Sequence, residues 1–271
     1  MNDRIDSAEQ FRSLHRPGSP LVLVNAWDAA SAAVVAAAGA AAVGTTSAGV
    51  AWSLGAADGN RLDRGPAVDL VRRVAAAVSV PVSADIESGF GATPAEVGET
   101  VRAVLAAGAV GVNIEDGLSD RSLRDVADQV ARLAAARAAA DEAGTPLFLN
   151  ARVDTLLFRA GGVPETVERA TAYLAAGADG IFVPGATDPD LVAELARAIP
   201  APLNVLAGPG APSVPELAAL GVARVSLGSA VAEAAYGLVR RAAIEAYGAG
   251  TYDALADDPV PYPQLNALLA G

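Results

Sequence analysis

Two short acidic segments of this sequence contain the residues best suited to chemistry. Asp85 and Glu87 end one apolar run, and Asn113 and Glu115 end another. Residues i and i+2 of a strand share a face, so the members of each pair point the same way. Carboxylates at neighbouring strand ends repel one another unless a cation lies between them, and Mg²⁺ or Mn²⁺ suits such hard oxygen ligands. We therefore expect Asp85, Glu87 and Glu115 to bind Mg²⁺ (or Mn²⁺), the alternative being buried acids paired with Arg or with helix N-termini.

The composition limits the other chemistry that is available. The 271 residues include no Cys and no Lys, which excludes thiolate sites, a Cys nucleophile and Schiff bases formed on Lys. The single His, His15, lies in a polar N-terminal stretch. We expect it to be an exposed helix residue rather than a catalytic base or a zinc ligand.

The charge of the chain indicates which partners it does not take. A formal net charge of −12 argues against nucleic acid and against anionic membrane surfaces. The Ala-rich stretches are interrupted by Gly and by charged residues, so none reaches the apolar length that spans a bilayer. The N-terminus has no basic leader before an apolar core, and we expect a cytoplasmic protein without a signal peptide.

A loose internal repeat predicts the architecture. Four Ala-rich helices end at Gly39, Gly108, Gly177 and Gly221, and a short buried strand follows each. Further strand-like runs bring the count to about eight, alternating with helices, which predicts an α/β fold of the (βα)8 TIM-barrel type. An open doubly wound sheet is the rival, but no Gly-rich dinucleotide fingerprint is visible. The predicted strands cover residues 21–25, 41–45, 81–87, 110–114, 147–152, 179–183, 203–206 and 224–228.

Three segments lie outside this repeat. We expect an extra N-terminal helix from Ser7, as its N-cap, to about Arg16. Residues 47–65 contain Gly, Asp and Asn with little apolar periodicity, and predict a long loop of the kind that builds the active site of a barrel. Prolines prevent residues 257–271 from forming one continuous helix. No linker is visible, so we interpret residues 1–271 as a single barrel domain.

Polar residues interrupt the apolar strands at their carboxyl ends. In a barrel these ends converge on one face, where the chemistry takes place. The interrupting residues are Asn25, Thr45, Thr46, Ser47, Asp85, Glu87, Asn113, Glu115, Asn150, Arg152 and Asp154.

These residues belong to five motifs that resemble a known family. The motifs are Asn25-Ala26-Trp27-Asp28-Ala29, Thr45-Thr46-Ser47-Ala48-Gly49, Ala84-Asp85-Ile86-Glu87-Ser88-Gly89-Phe90-Gly91, Gly111-Val112-Asn113-Ile114-Glu115-Asp116 and Asn150-Ala151-Arg152-Val153-Asp154. In this order, and over about residues 22–228, the chain resembles the isocitrate lyase/phosphoenolpyruvate mutase superfamily. One such motif is weak evidence, whereas five at barrel-like spacing are specific.

The resemblance implies a (βα)8 barrel that binds an α-oxo or α-hydroxy acid on Mg²⁺ and passes through an enolate-like species. Asp85 would be the principal metal ligand, with Glu87 and Glu115 acting directly or through water. Arg152 would clamp a carboxylate or the developing oxyanion, since its planar fork suits both. Asp58 aligns with an acidic residue near the metal and the reacting centre.

The resemblance also implies a small-molecule carboxylate as the bound partner. Ser47, with the backbone near Ala48 and Gly49, would hold the substrate carboxylate. Trp27 and Asn113 are further substrate-binding candidates, although packing is the favoured interpretation of Trp27 and a loop-tying role is open for Asn113. Two alternatives remain for the predicted catalytic residues: Arg152 and Asp154 form a salt bridge, and Asp58 is a turn residue.

One segment departs from the family. Lyases of the family carry a mobile loop with a Cys acid/base, and phosphomutases carry Lys and Asn there, whereas residues 117–124 here contain none of these, and no His. Because solvent can protonate an enolate, decarboxylation fits this chain well. The predicted function is a Mg²⁺-dependent carbon–carbon lyase or decarboxylase of a small 2-oxo or 2-hydroxy (di)carboxylic acid. The alternatives are a phosphonopyruvate-type P–C mutase or hydrolase and a non-catalytic binding barrel.

The C-terminal part predicts self-association. The helix after Ser229 is rich in Ala and Tyr, and members of the resembled family exchange C-terminal helices. We expect a homo-oligomer, a tetramer or a dimer. Tyr236, Tyr247 and Tyr252 are interpreted as core or oligomer contacts.

Overall fold

Eight parallel strands form a nearly closed barrel in the computed structural model, which describes residues 2–270. Seven neighbouring pairs are joined by regular ladders, from β1 through β8 and back along the sheet to β2. The remaining seam, between β1 and β2, is joined just beyond the strands by a bridge between Ala26 and Thr45. The strands are β1 Leu21–Leu23, β2 Val43–Gly44, β3 Val82–Asp85, β4 Gly111–Glu115, β5 Phe148–Arg152, β6 Gly180–Val183, β7 Leu203–Leu206 and β8 Arg224–Ser226.

Helices cover the outside of the barrel and extend it at both ends of the chain. Sequence-local signals begin and end them: Thr93 and Glu96 form a capping box, and Gly108 and Gly177 take left-handed φ values of 106° and 104° just after their helices. The helices are α1 Asn2–Ser13, α2 Ala29–Ala37, α3 Ser47–Ser53, α4 Arg64–Ala76, α5 Pro94–Ala106, α6 Val126–Glu142, α7 Thr155–Phe158, α8 Val163–Ala175, α9 Pro189–Ala198, α10 Val214–Ala219, α11 Ala230–Gly248 and α12 Tyr262–Leu269.

Strand alternation separates two kinds of residue. The outward residues of β4, Val112 and Ile114, are fully buried against the helices, within one large apolar cluster. The inward residues Asn113 and Glu115 alternate with them. The core therefore lies between sheet and helices, while much of the barrel interior is polar.

The predicted (βα)8 barrel and the extra N-terminal helix are confirmed, but several boundaries were wrong. Helix α1 begins at Asn2, so Ser7 lies inside it and is not its N-cap. The predicted loop 47–65 begins with helix α3 and ends in the first residues of α4. The sequence pattern does not reveal α3, because this helix is short and rich in Ala and Gly. It packs through close contact of its small residues rather than through an apolar stripe.

The C-terminal segment is broken as predicted, since α12 covers only Tyr262–Leu269; Gly271 lies outside the described residues. Tyr236, Tyr247 and Tyr252 are 42%, 91% and 72% exposed, so of the two interpretations the core role was wrong, and the role in oligomer contacts stays a prediction. None of the helices within residues 2–270 has the length and apolar character needed to cross a membrane.

The prediction that His15 is an exposed helix residue was also wrong, because its side chain is buried and the residue lies beyond the end of α1 at Ser13. Its ring stacks on that of Phe148 with centroids 3.8 Å apart, and Phe11 packs edge-on at 4.8 Å. Its Nδ1 donates to the Phe11 carbonyl at 2.9 Å. Phe11 and Phe148 belong to a buried cluster at the N-terminal ends of the strands, so α1 closes that end of the barrel. The i, i+4 spacing of Phe11 and His15 is the signal in the sequence for this buried face.

Acid should weaken this N-terminal closure through His15. Burial, together with the charge of Arg224, lowers the pKa of His15 from 6.5 to about 3. The unfolded chain takes up a proton near pH 6.5 and the folded chain does not until about pH 3. Stability is therefore lost as pH falls through this window, by about 1.4 kcal/mol per unit.

A His15→Phe variant keeps an aromatic ring at this position but cannot take up the proton. Denaturant unfolding between pH 7 and pH 4 should show a steeper loss of the free energy of unfolding in the unaltered protein than in the variant. Equal slopes would contradict the assignment, because all other titrating groups are common to both proteins.

Candidate active site

The predicted acids do meet at the carboxyl ends of β3 and β4. Asp85 is the last residue of β3 and pairs in register with Asn113, and Glu115 at the end of β4 pairs in register with Arg152 of β5. Glu87 follows two residues after Asp85, and its backbone N–H donates to Asp85 Oδ1 at 3.1 Å. The strand pairing thus brings the four charged side chains to one end of the barrel.

Arg152 is held between two carboxylates. Its Nη1 lies 2.8 Å from Glu115 Oε2, and its Nε donates to Asp154 Oδ1 at 2.7 Å. The guanidinium also lies over the Phe182 ring, 5.7 Å from the centroid. The salt bridge to Asp154 that the shared strand face allowed is therefore present. It fixes the plane of the guanidinium beside the acids.

Burial makes ionisation costly for these acids. It raises the pKa of Glu87 to about 7 and that of Glu115 to about 8, with Arg152 opposing the rise in both. It also raises the pKa of Asp85, which Arg152 again opposes. For Arg152 itself, burial lowers the pKa, but Glu115 and Asp154 outweigh burial and raise it. A further positive charge beside these acids would therefore stabilise their ionised forms.

This donor set fits a water-rich divalent cation. Asp85 and Glu87 have no ion-pair partner among residues 2–270. No group of three or more His, Cys, Asp or Glu side chains in that range is arranged to hold a metal ion. Glu115 is paired with Arg152, and Glu87 accepts a hydrogen bond from the Asn60 backbone N–H. Mg²⁺ usually keeps several waters and takes one or two carboxylates. If such an ion binds, Asp85 would be the direct ligand, and Glu87 and Glu115 would act through water.

The loop 54–63 places Asp58 near the acids. Asp58 is exposed, yet its charge contributes to the raised pKa of Asp85 and of Glu87. Asn60 ties the loop down: its backbone N–H donates to Glu87 Oε2, and its Oδ1 accepts from Ser88 Oγ at 2.6 Å. Asn60 was not among the predicted site residues; the turn sequence around Asp58 was the available signal.

Backbone strain accompanies this tie. Asn60 has φ 61° and Glu87 has φ 50°, both left-handed. Asn adopts this region at little cost, whereas Glu does so only when its surroundings determine it. The contact with Asn60 is one such determinant, and it holds the Glu87 carboxylate toward the loop.

Ser47, Ala48 and Gly49 form the first turn of α3. A small enclosed cavity is lined by Ser47, Asp85 and Glu87, so Ser47 is in the same region as the acids. Trp27 is placed differently. A Cβ on Gly49 would lie 2.8 Å from Trp27 Cβ, so Trp27 packs on α3 at Gly49, as the packing interpretation predicted.

A buried network supports Arg152 from behind. Asp116 Oδ1 accepts from the Asp154 backbone N–H at 2.9 Å, and its Oδ2 accepts from Tyr173 Oη at 2.7 Å and from Arg169 Nη1 at 3.1 Å. Burial and the neighbouring Asp116 charge raise the pKa of Tyr173, which stays a proton donor to Asp116. Helix α8 thereby fixes the end of β5 on which Arg152 and Asp154 lie.

The loop 117–124 is a closed turn that offers no acid. Leu118 N–H donates to the Ser122 carbonyl at 2.9 Å, and Arg121 lies over the Phe158 ring at 5.0 Å. Asp120 is exposed, and hydrogen bonds from Ser122 lower its pKa. An exposed carboxylate that stays ionised does not deliver protons at neutral pH.

A polar core below the acids was not predicted. Arg224 in β8 is fully buried in the barrel, where its guanidinium donates to Asn113. Asn204 donates to the Arg224 backbone carbonyl, and Asn150 joins the Asn113 and Asn204 amides. Burial lowers the pKa of Arg224 to about 10, which Asp85 partly offsets, so the guanidinium stays charged at neutral pH. A charged residue within the apolar run 222–227, in phase with Ser226, was the signal in the sequence.

Comparisons with known proteins agree with this architecture. A family model described as phosphoenolpyruvate phosphomutase matches residues 11–247. The 2-methylisocitrate lyase of Escherichia coli (strain K12) is 30% identical over 211 residues, 70% of this chain and 70% of that protein. The oxaloacetate decarboxylase of Rhodopseudomonas palustris (strain BisA53) is 37% identical over 145 residues, 51% of this chain and 48% of that protein. The crystal structure of a phosphonopyruvate hydrolase complex with oxalate and Mg²⁺ covers 97% of this chain and 95% of its own, with TM-score 0.85 and 26% identity.

Proposed function

This chain belongs to the isocitrate lyase/phosphoenolpyruvate mutase superfamily, whose members are carbon–carbon lyases or mutases, and we propose that it decarboxylates a small 2-oxo diacid. The observation that supports this proposal is a charged site whose loop 117–124 offers no proton donor: Asp120 is exposed and ionised, and Arg121 packs on Phe158. Loss of CO₂ from the carboxylate that is β to the oxo group leaves an enolate that solvent can protonate. The reaction therefore needs charge stabilisation but no enzymic acid.

We assign the cation site to Asp85, with Glu87 and Glu115 acting through water. A bound Mg²⁺ (or Mn²⁺) would supply Lewis-acid polarisation of the substrate's carboxylate and adjacent oxygen. The oxalate and Mg²⁺ in the phosphonopyruvate hydrolase complex support this assignment, as does the unpaired state of Asp85 within residues 2–270. The same acids repel a substrate carboxylate in the absence of positive charge, so cation and substrate binding should be linked.

Arg152 is the residue that stabilises the reacting oxygen. As the C–C bond to the departing carboxylate breaks, its electron pair moves into the enolate, and negative charge grows on the former oxo oxygen. Arg152 is fixed by Glu115 and Asp154 through Nη1 and Nε. Neither of these contacts uses Nη2, which can face that oxygen without reorganisation of the side chain.

The remaining predicted residues have supporting roles in this proposal. Ser47 and the first turn of α3 hold the carboxylate that stays on the substrate. Asp58 acts near the reacting centre from the loop that Asn60 ties to Ser88. The short hairpin 117–124 excludes water from the side of Phe158.

Phosphonopyruvate hydrolysis is the second candidate. The observation in its favour is the 26% identity and full-length superposition with a phosphonopyruvate hydrolase. Phosphorus NMR of an incubation with phosphonopyruvate and Mg²⁺ separates the two: release of inorganic phosphate would favour this alternative over decarboxylation.

The cation assignment predicts that Asp85→Ala loses Mg²⁺ binding while the fold persists. Titration calorimetry measures the affinity, and circular dichroism checks the fold. Asp120→Ala is the matched control, because Asp120 is an exposed acid bound only to Ser122 within the described chain, and it should bind Mg²⁺ as the unaltered protein does. Undiminished affinity in Asp85→Ala would refute the assignment.

The proposed reaction is tested by incubating the protein with Mg²⁺ and a panel of 2-oxo and 2-hydroxy diacids, read by mass spectrometry. We expect a 2-oxo diacid to lose CO₂. With that substrate, Arg152→Ala should lose about 10²–10³ in rate, the usual cost of removing a donor aimed at developing charge. Arg121→Ala should change only the apparent affinity, because Arg121 contacts Phe158 and the Leu157 carbonyl.

The outcome that contradicts this scheme is a loop variant without turnover. If Asp120→Asn or Arg121→Ala abolishes the reaction while substrate still binds, the loop takes part in the chemistry. Decarboxylation would then give way to a lyase or mutase that uses a substitute acid.

We also propose that the protein is a homo-oligomer, a dimer or a tetramer, built through α11. This helix exposes apolar side chains, with Val239 64% and Ile244 67% accessible. A groove of about 710 Å³ beside β1 and α2 is lined in part by apolar residues such as Val22 and Val35, and we propose that it receives this helix from a second copy. Burial of such surfaces is the usual driving force for self-association.

Light scattering at micromolar concentration should therefore give the mass of a dimer or a tetramer. Val239→Arg with Ile244→Arg should shift the protein toward monomer, because charge in an apolar contact is costly. Val214→Arg on α10 is the matched control, an exposed apolar residue away from α11. A monomeric unaltered protein would refute the proposal.

A further inference from the structure

Arg224 is a buried cation without an anionic partner. It is the largest fully buried side chain, and within residues 2–270 no carboxylate forms an ion pair with it. Its Nη2 donates to Asn113 Oδ1 at 3.2 Å and its Nε to Ser226 Oγ at 3.4 Å, while Nη1 has no partner. A buried charge without an ion-pair partner is costly, and the charge of Asp85 offsets only part of that cost. Its contact with Asn113 points to a role in the site above it.

Arg224 determines which way the Asn113 amide faces. A guanidinium only donates hydrogen bonds, so the Asn113 atom that meets it must be the acceptor Oδ1. A second donor, Asn150 Nδ2, reaches the same oxygen at 3.0 Å. Turning the amide over would place an NH₂ group against two donors, with no acceptor for it there.

Asn204, at the other end of this hydrogen-bond network, also fixes the orientation of the amides. Asn204 Nδ2 donates to the carbonyls of Val205 and Arg224 at 3.0 and 3.1 Å, and carbonyls only accept. Asn204 Oδ1 therefore faces Asn150 and accepts from its Nδ2 at 3.1 Å. The network thus ends at a guanidinium that only donates and at carbonyls that only accept. The amides of Asn113, Asn150 and Asn204 therefore each have a single orientation.

One donor is left over. Asn113 Nδ2 has no acceptor among residues 2–270, and it is not one of the fully enclosed unpaired atoms, so it keeps some accessible surface. Asn113 is in register with Asp85 and lies on the inward face of β4, two residues before Glu115. A hydrogen-bond donor thus stands directly below a group of carboxylates.

We propose that Arg224 positions the Asn113 amide so that Nδ2 donates to an unprotonated substrate oxygen, which selects ligands presenting an oxo or carboxylate oxygen to the floor of the site. The inference rests on the proposed function and deepens it. An oxygen that gains negative charge accepts more strongly than a hydroxyl, so this donor favours 2-oxo acids over 2-hydroxy acids. Asn113 contacts the substrate, and Arg224 acts through Asn113.

The test is a double-mutant cycle on oxalate binding, measured by calorimetry at saturating Mg²⁺. Asn113→Ala should weaken oxalate binding about tenfold to a hundredfold, as expected for a lost hydrogen bond to a charged group. Arg224→Met removes both charge and positioning. Loss of the Arg224 charge should weaken oxalate binding equally whether residue 113 is Asn or Ala. Loss of positioning can act only through Asn113, so Arg224→Met should weaken oxalate binding about fivefold more when Asn113 is present than when Ala is.

Two further variants complete the test. Asn113→Asp gives Arg224 an ion-pair partner, which protects the fold, but replaces the donor by an acceptor; it should bind oxalate more weakly than Asn113→Ala. Ser83→Ala removes a buried Oγ that has no partner among residues 2–270, and it should leave oxalate affinity unchanged. Mg²⁺ affinity, measured separately, should persist in Asn113→Ala and Arg224→Met.

The outcomes separate this inference from the proposed function. Equal losses from Arg224→Met in both backgrounds, or full oxalate affinity in Asn113→Asp, would overturn the positioning role while oxalate binding by the unaltered protein upholds the site. Failure of the unaltered protein to bind oxalate with Mg²⁺ would overturn the proposed function and this inference together.

Discussion

The interior of the barrel must balance buried charge, and the other features of the site depend on that balance. Burial raises the pKa of Asp85, Glu87 and Glu115, which lie within range of one another's charge. The charges of Arg152 and Arg224 both act on Asp85 and oppose this effect. Each carboxylate therefore needs a cation, a hydrogen-bond donor or a proton. In the function proposed above, a divalent cation and an anionic substrate would bring opposite charges to this place, so that each would offset the charge of the other.

Hydrogen-bond direction replaces apolar packing below the acids. Barrel interiors are usually filled by layers of branched apolar side chains. Here Asn113, Asn150, Asn204 and Arg224 occupy the interior, and each amide has its orientation set by groups that only donate or only accept. Such a network stabilises less than an apolar core of equal volume, but it specifies one arrangement. The geometry of the site is set by that arrangement.

The sequence was informative where one local rule governed the structure. Gly108 and Gly177 end their helices, and Asp85 and Glu115 lie at strand ends, because helix termination and strand alternation act over a few residues. His15, Asn60 and Arg224 escaped prediction because their surroundings come from distant parts of the chain. A polar stretch hid the aromatic stack of His15, and the guanidinium of Arg224 contacts Asn113, which is 111 residues away in the sequence. Helix α3 was missed because close approach at Gly49, rather than an apolar stripe, packs it.

The barrel is held together less strongly at the seam between β1 and β2 than at its other seams. The other seven seams are continuous ladders, whereas this one relies on the bridge of Ala26 to Thr45 and a β2 of two residues. A sheet opens locally where the fewest hydrogen bonds join its strands. The backbone amides on either side of this seam should therefore need the least free energy to open to solvent in the sheet. We therefore expect local unfolding of this barrel to begin at residues 40–46.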